Sequence, residues 1–252
     1  MKKPLRSRRF LCVLLIVAIP LVASGQIRGR RGAELAGANL PYTGQFVFTR
    51  IMYGSPGWGF GGSSWSHDYP RADHHLPRLL EHLTSIDVNL GGSNVFTWDD
   101  PEVFKFPVAY LSEPGFWQLT DSEAKRLREY FLKGGFVIFD DFEGEQLYNL
   151  EAQLKRTLPE YRLIEIDVTH PIFQSFFEMK TIDIPHPMYG LHPTYYGIFE
   201  NNDPTQRMLA IINHDNDIAE YWEWSDTGFL PIDLTNEAYK LGVNYMIYGM
   251  TH

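Results

Sequence analysis

Residues 106–141 read FPVAYLSEPGFWQLTDSEAKRLREYFLKGGFVIFDD, and this stretch decides the fold. Phe106 to Leu111 is a short apolar run with strand character. Thr120-Asp121-Ser122-Glu123 is a capping box, in which the Thr hydroxyl and the Glu carboxylate satisfy free amides at a helix start. Ala124, Leu127, Tyr130 and Phe131 then share one helical face. Gly134-Gly135 ends the helix, where glycine takes up positive φ. Phe136 to Phe139 is continuously apolar and runs into Asp140-Asp141. Strand, helix and strand in so short a span make a βαβ unit, with the two strands parallel and buried on both faces.

The pattern extends outward from this unit. Gln45 to Tyr53 reads as a first strand, and Tyr69 to Leu83 as a helix with Pro77 in its first turn or at a bend. Leu147, Leu150, Leu154 and Leu158 form another helical stripe, stopped by Pro159, and Tyr161 to Ile166 alternates as a strand. Residues 170–205, rich in Pro, His and Tyr, read as long loops or an insertion. Arg207 to Ile212 is a further strand, and Thr235 to Gly249 a closing helix. The expected fold is α/β: a doubly wound, mostly parallel open sheet with helices on both faces, carrying strands 46–53, 106–111, 136–139 and 207–212.

The amino terminus has a different character. Lys2, Lys3, Arg6, Arg8 and Arg9 precede an apolar run from Phe10 to Ala23, and Ala23-Ser24-Gly25 offers small residues for cleavage. This is the layout of a secretory signal peptide, so residues 1–25 are expected to leave and the remainder to work in the periplasm or outside the cell. The alternative is an uncleaved membrane anchor, but the run is shorter than the roughly 20 residues a spanning helix needs. Ser7-Arg8-Arg9-Phe10-Leu11 lacks the spacer of a twin-arginine signal, so the export route stays open. Residues 26–45 read as a Gly- and Arg-rich linker, and 46–252 as a single α/β domain.

Loss of the leader takes five basic side chains and moves the net charge from −9 to −14. Such a surface repels nucleic acid and anionic lipid. It also removes Cys12, the single cysteine, so the mature chain has neither disulfide nor thiol nucleophile. The aromatic content supplies a core and leaves a surplus that suits an envelope protein or a glycan as partner.

In an open parallel sheet, ligands bind beyond the carboxyl ends of the strands. Asp140, Asp141, His214 and Asp215 stand there and are the catalytic candidates; with Asp217 they are also the metal candidates. Hard cations take carboxylate oxygens and zinc takes histidines, so a divalent metal fits, although no cofactor is required. The competing reading is that these residues cap helices and solvate strand ends. Arg50, Tyr53, Trp58, Trp65 and Asp73, around the glycine-rich loop 54–62, are the binding candidates. His186 and His192, each beside a proline, are further possible ligands or plain turn residues, and Trp222-Glu223-Trp224 is a possible sugar platform or a packed edge. Gly57 to Gly62 has G-x-G-x-x-G spacing but no helix directly after it, and no G-x-S-x-G nucleophile elbow occurs.

Several of these residues also carry a resemblance. Arg50 with Tyr53, Trp65 with Asp68, Tyr110, the run from Glu123 to Asp141, His170-Pro171-Ile172-Phe173, Asn213-His214-Asp215 and Leu241-Gly242-Val243-Asn244 resemble the bacterial domain-of-unknown-function family 4159, over about residues 45–250. The resemblance implies a flavodoxin-like, class I glutamine amidotransferase-like fold and little chemistry. Glutamine amidotransferases need a cysteine nucleophile, which the mature chain lacks, so glutaminase activity is excluded. Two function classes follow. The first is a non-catalytic binding module of the envelope that uses the Trp- and Gly-rich loop as its contact surface. The second is a metal-assisted hydrolase acting on an envelope glycan or small substrate.

Overall fold

In a computed structural model describing residues 37–54 and 64–252, the two strands of the central unit pair in parallel, Val108 with Phe136 through Ser112 with Asp140. They belong to a seven-stranded sheet in the order β2-β1-β3-β4-β7-β6-β5. The strands are β1 (Thr49–Ile51), β2 (Asn94–Phe96), β3 (Val108–Ser112), β4 (Phe136–Asp140), β5 (Ile164–Glu165), β6 (Thr194–Phe199) and β7 (Met208–His214). The pairs from β2 through β7 are parallel, while β6 runs antiparallel to both β7 and β5. The helices are α1 (Arg71–Leu83), α2 (Asp121–Leu132), α3 (Gln146–Thr157), α4 (Ile218–Glu223) and α5 (Ile232–Thr251).

The period of two along each strand builds the layers. Val108, Tyr110, Phe136, Ile138 and Ile211 join Leu76 and Leu80 of α1, Trp222 of α4 and Leu241 of α5 in one core. Ala109, Leu111, Val137 and Phe139 are out of phase with them and face the other side. There Trp117 packs on Phe139, and Asn149 ties α3 to the carbonyls of Pro114 and Trp117. Helices therefore cover both faces.

Local chemistry explains the ends of α2. Both bonds of the capping box are made: the Glu123 amide donates to Thr120 Oγ1 (3.1 Å), and the Thr120 amide donates to the Glu123 carboxylate (2.9 Å). Gly134 has φ +103°, and a Cβ at Gly135 would overlap the Tyr130 ring.

Three expectations need correction and one is narrowed. Residues 170–205 contain β6, whose Tyr- and Phe-rich run pairs with β7 along its whole length. The strand expected over 161–166 shrinks to Ile164–Glu165. Pro77 lies inside α1 beyond its first turn, which leaves the bend as the surviving alternative for it. Lastly, part of the stretch read as linker belongs to the fold. Asn39 exchanges hydrogen bonds with the backbone of Val95 (2.7 and 2.9 Å), and Asn94 does the same with the backbone of Leu40 (2.6 and 3.3 Å). This clasp covers the outer edge of β2. Residues 1–36 and 55–63, including the expected signal peptide, most of the linker and Trp58, lie outside the described residues. Among the described residues no helix is long and apolar enough to cross a membrane.

Candidate metal centre

The parallel strands stand in the order β2-β1-β3-β4-β7, so the order in which the chain adds strands reverses between β1 and β3, a topological switch point. The crevice beyond that switch point is acidic. Segments following four different strands feed it: His67 and Asp68 after β1, Glu113 after β3, Asp141 after β4, and Asp217 with Glu220 and Glu223 after β7.

Arg50 sets the geometry on the β1 side. It is fully buried on β1, and its Nε and Nη2 donate to Asp73 of α1 at 2.5–3.1 Å. Its Nη1 donates to the carbonyls of Trp65 (3.0 Å) and His67 (2.9 Å). One guanidinium thus ties the sheet, α1 and the segment carrying His67 and Asp68. Tyr53 does similar work, its hydroxyl donating to the carbonyls of Ser112 (2.8 Å) and Glu113 (2.7 Å). Trp65 is buried. The binding role expected for Arg50, Tyr53, Trp65 and Asp73 is therefore corrected: all four are packed inside, and the polar groups of Arg50, Tyr53 and Asp73 are spent on internal partners.

Asp68 and Asp141 both adopt left-handed backbone, φ 61° and 63°, a conformation Asp tolerates better than most residues. Asp141 Oδ2 accepts from Ser112 Oγ (3.0 Å) and from His67 Nδ1 (2.6 Å). That bond, above all, pushes the His67 imidazolium up to about 10. Asp217 caps α4 by accepting from the Glu220 amide (3.0 Å). Burial, and then the charge of Asp141, holds both Asp68 and Asp217 well above the usual carboxylate range. Burial raises Glu113 and Glu223 as well.

Asp68 is the anomaly. It is 4 % exposed, and neither of its oxygens accepts a hydrogen bond from any donor among the described residues. The group pressed against it is another carboxyl, that of Glu220. Ligand atoms from His67, Asp68, Asp141 and Asp217 all lie within 4.8 Å of one another, and those of Asp68, Glu220 and Glu223 do the same. Ligands on a sphere of about 2.0–2.6 Å radius are at most about 5.2 Å apart, so the first set fits one divalent ion.

The other sequence candidates go elsewhere. Asp140 points into the core, accepting from Tyr110 Oη (2.9 Å), Asn213 Nδ2 (2.9 Å) and the amides of Ile218 (3.1 Å) and Ala219 (3.2 Å). Burial pushes it up to about 7 against the pull of those donors. Its place is the amino end of α4, so it is corrected from catalytic candidate to structural carboxyl. His214 and Asp215 clasp the loop after β4: His214 Nε2 meets the Gly144 carbonyl (3.0 Å), and the Gly144 amide donates to Asp215 (2.8 Å). Neither joins the cluster. His186 Nδ1 accepts from the Met188 amide (3.2 Å) and His192 pairs with Asp183 (2.7 Å), both outside the two ligand sets. Trp222 is buried, its Nε1 donating to the Ala238 carbonyl (3.0 Å), which removes it as a sugar platform.

Asp141 and Asp217 were legible as strand-end carboxylates, whereas His67, Asp68, Glu220 and Glu223 were missed. The spacing Asp217, Glu220, Glu223 places three carboxylates along one side of a helix and was a usable signal. His67-Asp68 carried none, because its position depends on the tether to Arg50.

The family model for a domain of unknown function, DUF4159, matches residues 47–250, and the chain belongs to that family. No curated protein matches the chain.

Proposed function

We propose that this protein is a divalent-cation-dependent hydrolase working outside the cytoplasm. The observation that carries the reading is Asp68, a carboxylate sealed from water, without a donor among the described residues and surrounded by further carboxylates. Such a group is costly unless it shares a cation or a proton. The ligands are Asp68, Asp141 and Asp217, with His67 at the rim. A donor set of oxygens plus one imidazole and no sulfur suits manganese, magnesium, calcium or zinc.

A bound cation supplies the chemistry the side chains lack. The chain has no nucleophile elbow, and its cysteine lies in the leader. A cation acidifies bound water and polarises a substrate oxygen. The cluster stands beyond the carboxyl ends of the strands, where open sheets take their ligands, and an envelope glycan or a small substrate is the substrate class we assign to it. The reading of a non-catalytic module rested on the lack of a nucleophile elbow, thiol, cofactor fingerprint and metal-ligand spacing; the two ligand sets that meet at Asp68 supply such a spacing and favour the hydrolase.

The test is elemental analysis of the purified protein, melts with and without chelator, and assay against chromogenic phosphoesters, glycosides, esters and amides. A co-purifying divalent metal, a lower melting temperature in chelator and chelator-sensitive hydrolysis are expected. Absence of both metal and chelator shift overturns the cation site; metal without hydrolysis of any substrate class overturns the enzyme. Export has its own test. Amino-terminal sequencing of the exported protein is expected to begin near Gln26, and recovery of Met1 in the membrane fraction would favour the anchor.

A further inference from the structure

We propose that the cluster holds two divalent cations bridged by Asp68, one on His67, Asp141 and Asp217 and the second on Glu220 and Glu223. This rests on the reading of the cluster as a cation site. Three observations carry it.

The first is that Asp68 belongs to both ligand sets, each with its ligand atoms within 4.8 Å of one another. The second is that both of its oxygens lack a donor among the described residues, although it is 4 % exposed. A terminal ligand to one ion commonly uses one oxygen and gives the other to a hydrogen-bond donor. A bridging carboxylate gives one oxygen to each ion and wants no donor on either. The fold has donors nearby to offer. Arg50 passes close enough to bond the carbonyl of His67, and the Glu220 amide caps onto Asp217. Neither is turned towards Asp68.

The third observation is charge. Asp68, Asp141, Asp217, Glu220 and Glu223 are five carboxyl groups in one crevice, and Glu113 stands beside them. The nearest buried cation, Arg50, is already matched by Asp73. One divalent ion leaves most of that repulsion in place, and two nearly cancel it. Paired ions about 3.5–4 Å apart are the usual spacing of two-metal hydrolytic sites, and a single carboxylate spans that gap.

The experiment is titration of the chelator-stripped, dialysed protein with Mn²⁺, following stoichiometry by calorimetry and spin coupling by electron paramagnetic resonance. Two equivalents per chain and an exchange-coupled spectrum are expected. In Glu220→Gln with Glu223→Gln, one equivalent should remain, with the spectrum of an isolated ion. Glutamine keeps an oxygen for the bond from Trp224 Nε1 to Glu220, so the helix end retains its partner. A single equivalent in the unaltered protein overturns the bridge and leaves the one-cation site standing. Two equivalents retained in the double variant overturn the assignment of the second ion. No binding at all overturns both readings together.

Discussion

A carboxyl group sealed from water has to find a donor, a proton or a cation, and Asp68 has no donor among the described residues. Replacing it with Asn separates the last two. Asp68→Asn removes a carboxyl that burial pushes well above its ordinary range, so the chelated protein should melt a few degrees higher than the unaltered one. The same variant should lose the rise in melting temperature on adding Mn²⁺, which for the unaltered protein at a hundredfold excess over Kd is worth about 2.7 kcal/mol. Paired thermal melts check both arms. Arg50 behaves in the opposite way. Arg50→Met strands Asp73 as a buried unpaired charge and frees the carbonyls of Trp65 and His67, and it should cost about 3–5 kcal/mol in denaturant titration. The two halves of the site differed in legibility for the same reason. Asp141 and Asp217 follow strands, and strand ends are visible in a sequence. His67 and Asp68 are placed by one guanidinium reaching across from β1, and no local pattern encodes that reach. Asp140 shows the fineness of the distinction: it is the last residue of β4 and faces the core, while its neighbour Asp141 turns into the crevice.

Among the elements, α4 carries three of the carboxylates, and its position rests on one close contact. A Cβ on Gly242 of α5 would lie 2.6 Å from the Trp222 ring and 3.0 Å from Leu76. Gly242→Ala must therefore push α4 and α1 apart, with a stability cost of about 1–3 kcal/mol. Because Asp217, Glu220 and Glu223 move with Trp222, Mn²⁺ affinity should fall as well; a calorimetric titration reads this. Thr120→Ala is the contrasting case. It breaks the capping box of α2 on the opposite face, and should cost about 1 kcal/mol with Mn²⁺ affinity unchanged. The central unit was readable because cap, stripe, glycine stop and apolar strand all agree within it. Thr194 to Phe199 was not, because its neighbours are rich in proline and histidine and the strand is completed only by pairing with β7. Asn94–Phe96 was passed over because three residues are too few to show a period.

At the scale of the whole molecule, the crevice makes stability depend on pH with a definite sign. Asp140, raised to about 7 by burial, and Asp68 and Asp217, raised well above their ordinary range, hold protons that the unfolded chain gives up near pH 4. Their contribution is complete below that value and is lost as pH rises through their folded values. His67, raised to about 10, acts in the same direction above pH 6.5. His170 and His186, lowered by burial, act oppositely, but only below about 6.5. Between pH 6.5 and 8.5 the chelated protein should therefore lose stability as pH rises. With saturating Mn²⁺ the trend should reverse, since ligands must be deprotonated to coordinate and protons compete with the ion. Melts at the two pH values, with and without Mn²⁺, would show the crossing; parallel slopes would speak against cation binding by these groups.

The Asn39 clasp limits how far the chain can be shortened from its amino terminus. Trimming to residue 41 would strip the side chain that bonds Val95 and the backbone that bonds Asn94, leaving the outermost strand with open amides and carbonyls. Bare strand edges recruit strands from other molecules. A shortened protein beginning at Pro41 should thus self-associate in size-exclusion chromatography, while one beginning at Ala38 should elute as the longer chain does, with the crevice on the far side of β1 unaffected in either.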